Sequence, residues 1–279
     1  AAAIAGALRN IYVAHIEGGE RSGTVDEVIR HAVTKLSHIH FVANEEAANR
    51  LKQLGEHEGS IYVIGSPDID VMLSNDLPTL DDVKKRYDIP FSDYAILALH
   101  PVTTSPEETS EIAQNVVSAA LQDRNNYVVI FPNNDKGSDI IFKEYERLEG
   151  NPRFVLYPSM RFRYFLTLLK HCRFILGNSS AGIREAPVYG VPSVNVGTRQ
   201  TNRFSAPSIW DVPGDYDALS DTLSRATEAA PAEPCYYFGE GNSAKNFMDA
   251  LESDALWSTP KQKQFIDIDF YSYLHRMPT

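Results

Sequence analysis

Short, β-rich apolar runs recur along the chain: IYVAHI at 11–16, IHFVA at 39–43, IYVIG at 61–65, YAILALH at 94–100, YVVIFP at 127–132, FVLYP at 154–158, FILGN at 174–178 and VPSVNVG at 191–197. Between most of them apolar positions take the 3.6-residue spacing of amphipathic helices, over 26–36, 45–54, 107–121, 162–170 and 182–189. Continuous apolar strands alternating with helices predict an α/β protein whose parallel sheets are covered on both faces. Such sheets bind ligands in the crevice at the carboxyl ends of their strands. The residues that follow each strand are therefore the place to look for chemistry.

The run Ile64–Gly65–Ser66–Pro67 closes a first strand–helix group, and a polar, Asp- and Pro-containing stretch then leads to Pro90. This places a boundary after residue 67. Residues 1–67, with about three strands, read as the latter part of an N-terminal domain, and 68–262, with five, as a complete C-terminal one. The polar and aromatic end predicts a terminal helix with a trailing tail, 263–279 packing back on the N-terminal domain. The opening AAAIAGAL is less than half the roughly 20 residues of a membrane span and lacks a basic leader. It predicts the back half of a buried helix, so the chain reads as starting inside a fold.

Composition narrows the partners. With 43% hydrophobic and 23% charged residues among 279, wholesale disorder is excluded. A formal charge of −11 argues against broad binding to nucleic acid or anionic membrane, yet leaves room for a local anion site. Two cysteines, Cys172 and Cys235, make neither a disulfide scaffold nor a zinc spacing, and a reduced cytoplasm is the simplest home. No HExxH, CxxC or GxSxG occurs, so neither a metal or other cofactor nor acyl-enzyme chemistry is expected.

Five strand ends carry candidate chemistry. After the first strand comes His15–Ile16–Glu17–Gly18–Gly19–Glu20, then Ser22–Gly23–Thr24–Val25–Asp26–Glu27 and Arg30–His31. Ser22 or Thr24 caps the following helix in the plain structural reading, with Asp26 and Glu27 favourable in its first turn. Glu17 has little capping use, beside two glycines that let a ligand approach. Asp26 and Arg30 share one helical face, as a surface ion pair or, with Glu17 and a histidine, as acid–base groups. The second strand end is Leu99–His100–Pro101–Val102–Thr103–Thr104, where His100 is either a ligand contact or a satisfied core histidine.

Gly177–Asn178–Ser179–Ser180–Ala181–Gly182 leads straight into a helix. Open backbone N–H groups and two hydroxyls there suit phosphate; a simple serine cap is the alternative. Glu185 lies in the first turns, placed to accept from ribose hydroxyls. Arg199, off the next strand, is placed to neutralise a second phosphate. Asn133, in Phe131–Pro132–Asn133–Asn134–Asp135, reads equally as a ligand contact and as an Asx turn. Together these features describe a nucleotide-phosphate site facing a carboxylate-rich wall across an interdomain cleft.

The strings HIEGGERSGTVDEVIRHAVTKLSHIHF, HPVTT, FPNND and GNSSAGIREAPVYGVPSVNVGTRQTNR resemble the hydrolysing UDP-N-acetylglucosamine 2-epimerases of sialic acid and capsule biosynthesis, over residue 1 to about 270. The resemblance implies a glycosyltransferase-B-like fold of two Rossmann-like domains with a UDP-sugar in the cleft. It implies elimination of UDP to a 2-acetamidoglucal, then water addition to give N-acetylmannosamine. Glu17 and Asp26 match the sugar-side carboxylates, with acid and base roles left open. His100, counted with Glu17 and Asp26 among the catalytic residues, matches a nucleotide-side position, as do Ser179, Ser180, Glu185 and Arg199; Arg30 faces the same site, and Asn133 lines the pocket. A homo-oligomer, dimer or tetramer, is also implied. In that family a GTRAD-like loop and a GDR-like segment precede the position of residue 1, the latter with a catalytic Asp. The resemblance thus implies that about a hundred residues lie outside this chain, most of a domain by size, leaving its activity alone in question. The same chemistry on a UDP-diacetamido-trideoxyhexose, or a nucleotide-sugar binding module without catalysis, are the alternatives.

Overall fold

Two all-parallel sheets organise the chain, seen in a computed structural model that describes residues 1–22, 25–102 and 106–267. The first holds β1 (Ala14–Ile16), β2 (Ile39–Val42) and β3 (Ile61–Val63) in that order, with Ala14 opposite Ile39 and His40 opposite Ile61. The second holds β4 (Ala95–Ala98), β5 (Tyr127–Ile130), β6 (Phe154–Tyr157), β7 (Ile175–Gly177), β8 (Ser193–Val196) and β9 (Ile209–Val212), in the order β6-β5-β4-β7-β8-β9. Each sheet belongs to its own compact unit: Ala1–Arg21, Val25–Leu73 and the described residues from Tyr237 onwards form one, Ser22 and the described residues of 74–236 the other.

The six-stranded sheet is buried on both faces, which explains its continuous apolar strands. Alternate residues diverge: Ala95, Leu97, Tyr127, Val129, Leu176 and Val194 join one core, Ile96, Ala98, Val128 and Ile175 the other. The sequence pattern misses β9. It is a half-buried edge strand, and Asp211, which accepts from Asn195 Nδ2 at 2.6 Å, breaks its apolar run.

The unit boundaries differ from those expected at 67/68 and 262/263. Helix Pro67–Leu73 stays with the first unit because Ile69 and Met72 are buried and Asp70 caps a distant helix. Its carboxylate accepts from Ser243 N and Ala244 N, both at 2.9 Å, at the start of helix Ser243–Leu251. That helix returns to the first sheet, where Phe247, Ala250 and Leu256 pack on Ile39, Phe41 and Ile64. The opening segment also departs from expectation. Ala2–Leu8 is helical, but only Ala3 is buried, and Leu8 is 83% exposed because one narrow face meets the helix Val25–Leu36. The helix expected over 182–189 is one α-turn, Ala181–Arg184, followed by a 3-10 turn with Pro187 near its start. At the other end a short helix, Asp254–Trp257, precedes irregular chain; the tail beyond 267 lies outside the described residues.

One buried ionic cluster pins the returning chain. Glu56, whose side chain is 1% exposed, accepts from Lys35 (2.8 Å), His40 (3.0 Å) and Lys263 (2.5 Å). Lys263 also donates to the carbonyls of Thr34 and Ser37. Burial pushes the Glu56 carboxyl up, but the bonds from His40, Lys263 and Lys35 outweigh it and hold it at about 2. The ordinary value is 4.5, so its stabilising contribution is complete above that pH and is lost as pH falls towards 2. Glu56→Ala removes the shared acceptor of the buried His40 and of the partly exposed Lys35 and Lys263. It is expected to cost about 1–3 kcal/mol in denaturant unfolding, mainly through the unsatisfied His40, and to flatten the acid loss below pH 4.5; an unchanged midpoint contradicts this account.

Candidate active site

In the larger sheet the strand order reverses between β4 and β7, the position where parallel α/β sheets open a crevice. The two strands pair up to Ala98 opposite Gly177. Beyond that point the Asn178 side chain continues the pairing. Its Oδ1 accepts from His100 N at 2.7 Å and its Nδ2 donates to His100 O at 2.8 Å. Gly177 is required there: its φ is +133°, and an added Cβ would fall 2.1 Å from Ala98 O.

This clasp leaves the Asn178 carbonyl to accept from Arg199 Nη1 (3.0 Å) and Gln200 Nε2 (2.9 Å). His100 Nδ1 lies 3.3 Å from Asn133 Oδ1. The structure thus gathers His100, Asn133 and Arg199 around Asn178, with Ser179 and Ser180 next in the chain. Ser179 Oγ accepts from Ala181 N at 3.3 Å, a long cap, and Glu185 ends the single helical turn, buried. One turn has little macrodipole, and its N–H groups are taken up locally, Ala181 N by Ser179 Oγ, Gly182 N by Ser179 O and Ile183 N by Ser180 O, so the positive charge at this strand end is that of Arg199. Thr103 and Thr104 lie outside the described residues.

Burial, then the Arg199 charge, depress the His100 imidazole to about 4, against a smaller lift from Asn133. His100 is therefore neutral near pH 7, able to make hydrogen bonds but not a fixed cation.

In the first unit, Glu17 stands at the carboxyl end of β1 with φ +62°, a left-handed conformation unusual for a residue with a side chain. Its N–H donates to Phe41 O at 2.8 Å, and its Oε1 accepts from Ser66 Oγ at 2.5 Å. The glycines after it pack tightly: a Cβ on Gly19 would meet Ala47 O at 2.3 Å, and Arg50 Nη1 donates to Gly19 O at 3.1 Å. Arg30 Nη1 reaches Glu20 O at 3.4 Å, tying helix Val25–Leu36 to the Glu17 loop. Asp26 is exposed in the first turn of that helix, and Glu27 pairs with His31 at 3.5 Å. The capping role read for Thr24 lies outside the described residues. Burial, then the charges of His40 and Arg30, lower the His15 imidazole to about 4; its Nδ1 sits 3.1 Å from Thr34 Oγ1.

Sequence reasoning passes over Ser66 and Asn178, whose residue types read as turn formers, and over Gln200, a neutral polar residue. Their common signal is position, since each lies a few residues past a strand end. Among the described residues no three His, Cys, Asp or Glu side chains converge as a metal site would need. No helix there is long and apolar enough to cross a membrane.

Fold and site together define an α/β protein of the glycosyltransferase-B-like class. A solved UDP-GlcNAc 2-epimerase of Methanocaldococcus jannaschii, in complex with UDP-GlcNAc and UDP, superposes with a TM-score of 0.75 at 21% identity, over 89% of this chain and 71% of that one. The chain is 45% identical over 272 residues to the UDP-N-acetylglucosamine 2-epimerase of Neisseria meningitidis serogroup B, covering 96% of itself and 72% of that relative. It is 35% identical over 259 residues to the UDP-N,N'-diacetylbacillosamine 2-epimerase (hydrolyzing) of Legionella pneumophila, covering 92% and 69%. With the Polysialic acid biosynthesis protein P7 of Escherichia coli it shares 34% over 220 residues, 78% of this chain and 56% of that one. Residues 1–252 match the family described as UDP-N-acetylglucosamine 2-epimerase, and the chain belongs to that family.

Because Arg199 helps to depress His100, Arg199→Gln should raise the His100 pKa from about 4 towards its ordinary 6.5. An NMR titration of the imidazole checks this; an unmoved midpoint contradicts the assigned neighbourhood.

Proposed function

We propose that the protein is a hydrolysing epimerase that converts UDP-N-acetylglucosamine to N-acetylmannosamine and UDP. The single observation that carries this reading is Glu17. A carboxylate held at a strand end in a left-handed backbone, gripped by a buried hydroxyl, has no evident use in binding UDP alone. The Legionella relative's description as hydrolyzing and the Escherichia coli relative's as a polysialic acid biosynthesis protein support the same reading.

In the first step the C2 proton passes to a carboxylate, the C1–O bond breaks, and its electron pair leaves with UDP, giving 2-acetamidoglucal. In the second, water adds across C1=C2, with hydroxyl to C1 and a proton to C2 in the opposite configuration. Glu17 and Asp26 are assigned to these proton transfers or to the oxocarbenium-like charge, with Arg30 beside them. Arg199, Ser179 and Ser180 are assigned to the departing diphosphate, where charge develops. His100 contributes as a neutral hydrogen-bonding group, Glu185 is assigned to the ribose hydroxyls, and Asn133 lines the nucleotide pocket. A cytoplasmic homo-oligomer suits such an enzyme.

Full-length protein incubated with UDP-N-acetylglucosamine in deuterated water is expected to release UDP and to yield N-acetylmannosamine labelled at C2. Release of UDP only from UDP-N,N'-diacetylbacillosamine moves the reading to the Legionella relative's substrate, and UDP binding without turnover of either sugar makes the protein a binding module. Glu17→Gln and Asp26→Asn are each expected to lower kcat by a hundredfold or more, about the span of general acid–base catalysis, while UDP affinity by calorimetry stays within about threefold. Loss of UDP binding in both variants would assign them to structure instead.

A further inference from the structure

By sequence Ser66 is only the small residue before Pro67, where β3 gives way to helix Pro67–Leu73. In the structure it is wholly buried and held at both ends. Its N–H donates to Phe238 O at 2.7 Å, and its hydroxyl donates to Glu17 Oε1 at 2.5 Å. The backbone on either side has little room. Gly65 takes φ +90° and Gly239 φ +144°, and a Cβ on Gly239 would lie 3.1 Å from Ser66 N. Pro67 restricts the Ser66 backbone further. A hydroxyl so confined has its donor direction set by the fold, and its bond to the partly buried carboxylate is of the stronger, charge-assisted kind.

Glu17 needs such a hold. The bond from its N–H to Phe41 O fixes the main chain, but a glutamate side chain keeps several rotatable bonds beyond Cα. Proton transfer at a substrate carbon tolerates little wandering, because a displacement of about 1 Å in the reacting groups can cost a hundredfold in rate. We infer that Ser66 is a positioning residue for Glu17: by donating to Oε1 it gives the carboxylate one orientation from which to meet the sugar. The inference rests on Glu17 being the sugar-side carboxylate of the proposed reaction. Ser66 is wholly buried, and in this reading it acts only through Glu17. Its main-chain bond to Phe238 further links the orientation of Glu17 to the seating of the returning chain on the first unit.

The test is a double-mutant cycle in full-length protein, reading UDP release from UDP-N-acetylglucosamine. Ser66→Ala is expected to lower kcat about ten- to hundredfold, the scale of losing a hydrogen bond to a charged group, while KM moves less than about threefold. Ser66→Thr, which keeps the hydroxyl, should recover most of kcat. Ser66→Ala added to Glu17→Gln should lower turnover no further, since two groups acting as one unit are not additive. Wild-type kcat in Ser66→Ala while Glu17→Gln is inactive overturns the inference and leaves the proposed function standing. Losses that multiply in the double variant overturn it too. Wild-type turnover in Glu17→Gln overturns the reading of Glu17 itself, and the inference with it. Should Ser66→Ala fail to fold, Ser66→Cys, close in volume and a weak donor, replaces it in the same cycle.

Discussion

Where β4 and β7 part, a side-chain amide takes over from the backbone. Parallel strands exchange N–H and C=O groups along their whole paired length, and separating them exposes polar groups that must be satisfied. Asn178 resolves this by donating to His100 O and accepting from His100 N, as a neighbouring strand would. Its own carbonyl is thereby released to hold Arg199 and Gln200. The clasp demands Gly177, since no side chain fits against Ala98 O, and it fixes the start of the Ser179–Ser180 turn. A cation, a neutral imidazole and a run of small residues are thus anchored at the point where the sheet opens.

The first unit solves a different problem. Its carboxylate Glu17 has to be presented from a three-stranded sheet whose strands are only a few residues long. A left-handed turn, tight glycine packing against helix Glu45–Gln53 and the Ser66 hydroxyl provide the rigidity that strand length does not. Nearby, the charge of Glu56 is spent on Lys35, His40 and Lys263, so that cluster serves cohesion. In the proposed reaction proton transfer accordingly falls to Glu17 and Asp26, not to the most deeply buried carboxylate among the described residues. Burial alone is a poor guide to function here.

Much of the architecture is legible in the chain because strands buried on two faces are written as unbroken apolar runs. The exceptions have physical causes. β9 is an edge strand carrying Asp211, and the helix after Ser180 is cut short near Pro187. The return of residues 237–257 to the first sheet depends on Phe247 meeting Phe41 across some two hundred positions, which no local pattern encodes. The opening apolar octet reads as buried because periodicity reports composition, not which face finds a partner. At the site, Glu17, His100 and Arg199 stand out as charged or titratable groups just past strands. Asn178 and Ser66 do not, because their role lies in which backbone or carboxylate atom they reach, and turn-forming residues are common at strand ends.

The central claim is that the divide between β4 and β7 is a diphosphate site built on Asn178. A crystal structure of the protein with UDP tests it most directly. The diphosphate is expected to contact Arg199 and the N–H or hydroxyl groups of Ser179 and Ser180, with the Asn178–His100 clasp intact. A diphosphate bound away from these residues, or a clasp broken on binding, would contradict the account.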